Sequence, residues 1–289
     1  MSELSSGSGV IHDIGYRRYE GDRLGRAHIL RSMYVHSLRT AFGLGRGVKA
    51  KLFPWAVTGV VTAVAVVITA INSRSDEPVS TYPQFVDSMG VLAMLFLAAA
   101  APELVSRDLR SRVLTLYFAR PVRRSDYVYA KFAALITAVF LMLAGPQLII
   151  FAGAVFDVDS VGEFRRHLTD LLGGWLYTVV LALVTGSLAL LVASLTGRRA
   201  FAAAGIVGVF LVTVPVAAVV REWGPGAVRH LAGVITPSWL VMGIGDWLLG
   251  HEGVIDDIGG YGPVYGAAGA LLVVACLAIL LARYRRVED

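Results

Sequence analysis

Residues 103–131 read ELVSRDLRSRVLTLYFARPVRRSDYVYAK. Six arginines, at 107, 110, 112, 120, 123 and 124, are interleaved with Leu114, Leu116, Tyr117 and Phe118, and a long apolar run lies on either side. A membrane span excludes so many charges, and a disordered loop is poor in aromatic and branched residues. The stretch is therefore expected to fold at a membrane surface. Leu109, Val113, Leu114 and Leu116 give a helix an apolar side. Pro121 ends or kinks that helix, since proline lacks an amide donor and clashes with the preceding turn, and Ser125 is placed to cap the next one. A short helix, a break and a re-entry into the bilayer make a surface through which a soluble partner can pass force into the spans on either side.

Outward from this stretch, the composition makes the membrane unavoidable. Of 289 residues 56% are hydrophobic and 16% charged, with a mean hydropathy of +0.67, whereas charged residues make up about a quarter of a soluble domain. Apolar runs of roughly the 20 residues that cross a bilayer occur at 52–71, 85–105, 129–156, 171–195, 201–220 and 263–283. Gly145 and Pro146 are expected to kink the third, and Pro215 the fifth. The expected fold is thus an all-α integral membrane protein with six transmembrane helices. The division is a flexible cytoplasmic tail over 1–21, an amphipathic helix and turn over 22–51, a six-span domain over 52–283 and a cytoplasmic tail over 284–289. Residues 1–9 read as a polar tail and not as a cleavable signal peptide.

In the helix over 22–51, Ala27, Leu30, Tyr34, Leu38 and Ala41 recur at helical spacing, which suggests an amphipathic helix in the inner interface. Gly43 to Gly47, GLGRG, ends it and turns the chain into the bilayer. With both termini inside, 21 of the 26 lysines and arginines fall on the cytoplasmic side; Arg74, Arg165, Arg166, Arg221 and Arg229 remain outside. The positive-inside rule therefore sets the orientation and accounts for the net charge of +5 without nucleic acid. The last outer loop, about 40 residues from 221 to 262, carries apolar pieces too short to span, and short outer helices between spans five and six are expected there. Ala204 with Gly208, and Gly262 with Gly266, are small pairs at four-residue spacing that permit close helix approach, across a dimer included.

The chemistry-bearing motifs are few. No Walker A pattern occurs, so the chain has no phosphate-binding loop of its own. The six histidines are scattered, the single cysteine, Cys276, lies in an apolar run, and no metal-ligand spacing is present. Gly243-Ile244-Gly245-Asp246 matches the Gly-x-Gly-Asp pattern of intramembrane aspartyl proteases, but no second aspartate stands at a matching depth in a facing span, so Asp246 reads as an interfacial acid. The span centres offer Gln147 and hydroxyls such as Thr185, Ser187, Ser194 and Thr213, which usually bond their own backbone, so ion-coupled transport is disfavoured.

Leu114-Thr115-Leu116-Tyr117, Arg120-Pro121, Arg124-Ser125-Asp126-Tyr127 and Lys131 resemble the corresponding loop of ABC-2 type transporter permeases, type V exporter-like. The six-span layout, the basic N-terminal helix and the long last outer loop resemble that family as well. Gly15 to Gly21 and Phe42 to Arg46 look like a subgroup found beside dedicated ATPase genes. The resemblance implies a coupling helix between spans two and three that docks on a separate ATPase. Arg107, Arg110, Leu114, Tyr117, Phe118, Arg120, Pro121 and Arg123 would be the docking residues. It implies two ABC ATPase (nucleotide-binding) subunits carrying the ATP and Mg, no cofactor in this chain, a second permease chain as homo- or heterodimer, and a multi-pass location in the plasma membrane. Many members have a Gly-Thr pair in this loop, where this chain reads Ser111-Arg112-Val113-Leu114-Thr115. The alternatives are a membrane-embedded enzyme, protease or lipid transferase, and a non-transporting sensor or assembly subunit.

Overall fold

Apolar runs of this length leave the backbone no water to bond, so each must close its hydrogen bonds within a helix. The computed structural model describes residues 25–74, 78–110, 123–156, 158, 160–250 and 258–285, and these form helices with no strand among them. In chain order they are α1 (Arg26–Ala41), α2 (Val48–Asn72), α3 (Tyr82–Ser88), α4 (Gly90–Leu104), α5 (Ser106–Arg110), α6 (Arg124–Val155), α7 (Val161–Ser194), α8 (Arg199–Trp223), α9 (Gly226–His230), α10 (Pro237–Leu249) and α11 (Gly262–Arg285). Six of them are long and apolar enough to cross a membrane: α2, α4 continued by α5, α6, α7, α8 and α11. The protein is a multi-pass helical membrane protein. An even number of spans returns the chain to the end where it entered, and Arg124 at the head of α6 bonds the Arg285 carbonyl at the tail of α11 (2.6 Å).

The spans divide into a core and a shell. In their most apolar windows α4, α6 and α7 are 61%, 56% and 61% buried, but α2, α8 and α11 only 22%, 17% and 22%. The core is sealed by Phe85, Phe96, Leu97, Leu135, Met142, Leu143 and Leu190, all fully buried. Within the bundle the hydroxyls behave as expected. Thr185, Ser187, Ser194 and Thr213 each donate to a carbonyl three or four residues back in their own helix.

Local chemistry explains where the helices depart from the hydropathy windows. The second apolar run is split: Thr81 and Gln84 form a reciprocal capping box that starts α3, and the chain breaks at Met89 before α4. The fourth begins at Val161, ten residues before the predicted 171, because Ser160 accepts from the Glu163 amide and starts α7 in its polar stretch. Pro146 and Pro215 lie inside α6 and α8, which continue through them as single helices. Gly43 and Gly45 take positive φ, as the turn after α1 demands. Of the α1 stripe, Tyr34, Leu38 and Ala41 pack inward, joined by Met33, while Ala27 is exposed; Tyr34 donates to Thr137 of α6 (3.0 Å). Gly262 and Gly266 turn out to make a close approach inside the chain, since a Cβ at either would meet the Trp247 ring. Gly208 opens onto empty space.

Candidate functional site

The site grows from the first residues of the arginine-rich stretch. Glu103, at the end of α4, reaches two cations from different elements, Arg46 in the turn before α2 and Arg199 at the start of α8. Three residues on, Ser106 donates to the Ala193 carbonyl of α7 (2.7 Å). Asp108 of α5 then pairs with Lys131 of α6 (2.8 Å) and accepts from Tyr127 (2.9 Å). Lys131 is 5% exposed. A charge so buried costs several kcal/mol unless paired and hydrogen-bonded, so α5 cannot swing away from α6 without stranding it. Tyr127 in turn packs at a tilt against Tyr284 of α11 (5.2 Å between centroids), and Asp126 receives a forked bond from Arg26 of α1, one arm at 2.7 Å. Within one turn and a half, the chain from 103 to 108 is tied to α6, α7 and α8.

Arg107 and Arg110 are exposed on α5, and Arg123 is exposed just before α6. Arg107 and Arg110 converge with Arg46, Lys49 and Arg199 on a cavity of about 1000 Å³, whose apolar side includes Phe53, Pro54 and Ala99; Arg123 stands apart from it. Leu114, Tyr117, Phe118, Arg120 and Pro121 lie outside the described residues. Glu103, Asp108 and Lys131 were not singled out from the sequence as site residues. The available signal was two acids, Glu103 and Asp108, in an otherwise basic stretch beside a span, where an ionisable group needs a partner.

At the opposite end, Tyr177 of α7 donates to Asp87 of α3, and Asp246 of α10 lies near enough for its charge to disfavour ionisation of Asp87. Burial, the larger cause, pushes both carboxyls up to about 6. Asp246 Oδ2 is buried without a hydrogen-bond partner. The expectation that Asp246 has no partner aspartate is therefore corrected in one respect: α3 brings Asp87 into its field. The two glycines of the motif serve packing, since a Cβ on Gly243 would strike Tyr265 and one on Gly245 would strike Tyr177.

No known family model and no curated protein matches the chain. Among the described residues no three side chains of metal-ligating type gather at one point. In the core, Gln147 donates to Thr178 (2.8 Å) and leaves its Oε1 unpartnered. The richest constellation remains the charged end of α4 and α5.

Proposed function

We propose that this chain is the permease subunit of an ATP-binding cassette exporter, forming a substrate path as a dimer and driven by separate ATPase subunits. The observation that carries the reading is the anchored base of residues 111–122. Glu103, Ser106 and Asp108 tie the chain immediately before that segment to α8, α7 and α6, so displacement of α5 strains three spans. A coupling element needs such an attachment, whereas a loop that serves topology alone needs none. The concentration of basic residues at this end supports a cytoplasmic location for it, and on this reading for both termini, by the positive-inside rule. There a soluble ATPase carrying ATP and Mg meets it, Leu114, Tyr117, Phe118, Arg120 and Pro121 making the contact with Arg107, Arg110 and Arg123 around them.

A second reading, a membrane-embedded enzyme, draws on the approach of Asp87 to Asp246. It is weaker because Tyr177 already occupies Asp87 and the glycines are filled by aromatic rings. Co-purification with an ATPase subunit is the primary test, together with Phe118→Asp and Arg120→Glu. Both variants are expected to insert normally yet to uncouple ATP hydrolysis from transport, and normal transport by both would remove the docking assignment. Asp246→Asn should leave a transporter active and abolish an enzyme that uses this carboxylate.

A further inference from the structure

The cavity beside Glu103 is more than the basic rim that topology requires. Its cations arrive from four separate places: Arg46 from the turn after α1, Lys49 from α2, Arg107 and Arg110 from α5, and Arg199 from α8. The positive-inside rule places basic residues at one end of a bundle but gives no reason for five to face a single space. Among the described residues Glu103 is the one carboxylate in the lining, against five cations. Two helix starts add to the positive side. α2 and α8 both begin at the cavity wall, and neither is capped by a side chain at Gly47 or Arg198, so their first amides and dipole ends also favour an anion.

The other side of the space is apolar. α2 and α8 each pack on α4, which forms the floor with Ala98, Ala99 and Pro102, and Phe53 and Ala203 complete that side. Phe53 is exposed, and Val60 stands exposed two turns farther along α2. A basic rim beside an apolar wall matches a molecule with an anionic head and a hydrocarbon tail. A small soluble anion would have no use for the apolar wall.

We infer that this cavity receives an anionic amphiphile of the adjacent leaflet, a phosphate-type headgroup replacing Glu103 between Arg46 and Arg199 while the tail lies against α2, α4 and α8. Glu103 holds the two arginines in place when the site is empty and must yield them when it fills. Filling the site therefore breaks the α4 to α8 ion pair next to the proposed coupling element. The inference rests on the exporter reading only in making this ligand the cargo.

The full chain, reconstituted in phosphatidylcholine nanodiscs, would be titrated with tail-labelled phosphatidylglycerol and with phosphatidylcholine bearing the same label. Selective binding of phosphatidylglycerol is expected, with Lys49→Gln and Arg110→Gln each weakening it about fivefold. Arg31→Gln with Arg283→Gln, which remove charge from the same end away from the cavity, should leave the selectivity intact. Glu103→Gln should tighten binding by removing the competing carboxylate. Should that variant misfold, Ala203→Trp fills the cavity without altering its charge and should abolish selective binding. Equal binding of the two lipids, undiminished selectivity in Lys49→Gln and Arg110→Gln, or retention in Ala203→Trp would overturn the inference. Full displacement of the lipid by inorganic phosphate would overturn it too, showing a small-anion site. A chain that binds phosphatidylglycerol selectively but captures no ATPase subunit keeps this inference and loses the exporter reading; the reverse result does the opposite.

Discussion

Asp246 enters the sequence as the acid of a Gly-x-Gly-Asp pattern, and the fold gives its glycines a packing role: Gly243 admits the Tyr265 ring and Gly245 the Tyr177 ring. What the pattern could not disclose was Asp87, because the docking of α3 and α10 on the same helix, α7, depends on how distant segments pack and not on any local spacing. The consequence is titration. Asp87 has its folded value raised from 3.8 to about 6, chiefly by burial, with Tyr177 pulling the other way and Asp246 adding to the rise. A carboxyl raised on folding destabilises the protein above about 6, where it is ionised, and relieves that penalty as pH falls towards 3.8. Thermal unfolding in detergent should therefore shift upward as pH is lowered through this window, and Asp87→Asn should flatten the shift. The penalty at Asp87 is at most about 3 kcal/mol. His36, lowered by burial and then by the Lys131 charge, works in the opposite sense below 6.5, so the difference between wild type and Asp87→Asn is the quantity to read. An unchanged slope in that variant would remove Asp87 from the account.

Among the elements, the long apolar helices were legible because their hydropathy is continuous, and their ends were not because caps decide them. Both missed starts carried a signature, Thr81-x-x-Gln84 and Ser160-x-x-Glu163, which a search for uninterrupted apolar runs passes over. The short helix α5 shows the opposite limit: its arginines were conspicuous, but the contacts that fix it belong to Ser106 and Asp108. Removing Asp108 alone leaves Lys131 buried and unpaired, and Asp108→Ala should cost about 3–5 kcal/mol. Replacing Lys131 by Met as well removes the stranded charge and should restore most of that stability. A double-mutant cycle by thermal unfolding measures the coupling. If the two losses simply add, the pair does not anchor α5. If the double variant is stable but transport-incompetent in the proposed complex with an ATPase, the pair serves coupling more than folding.

For the whole molecule, the division into a buried trio and an exposed trio follows from how the helices dock and not from composition, since α2, α8 and α11 are as rich in small and branched residues as α4, α6 and α7. α2 and α8 keep Val60, Val66, Val67, Leu211, Val212 and Val216 on the outside. Lipid would satisfy such faces as well as protein does, so apolarity alone selects neither partner. The small residues discriminate. Gly262 and Gly266 are filled by Trp247 of the same chain, but Ala204 is exposed and Gly208 looks onto open space. Gly59 of α2 and Gly145 of α6 are open as well, but the Ala204 and Gly208 pair is the one with the four-residue spacing that lets a second backbone approach, in keeping with the proposed dimer. Ala204→Ile with Gly208→Ile should weaken self-association in detergent by roughly tenfold, equivalent to about 1.4 kcal/mol of lost packing. Leu271→Ala on α11, an exposed span outside the proposed contact, should not. In a Cys276→Ser background, Gly208→Cys should then cross-link two copies under oxidation. Failure to cross-link, with association unaffected by the paired isoleucines, would move the contact to another face and leave α8 to the lipid.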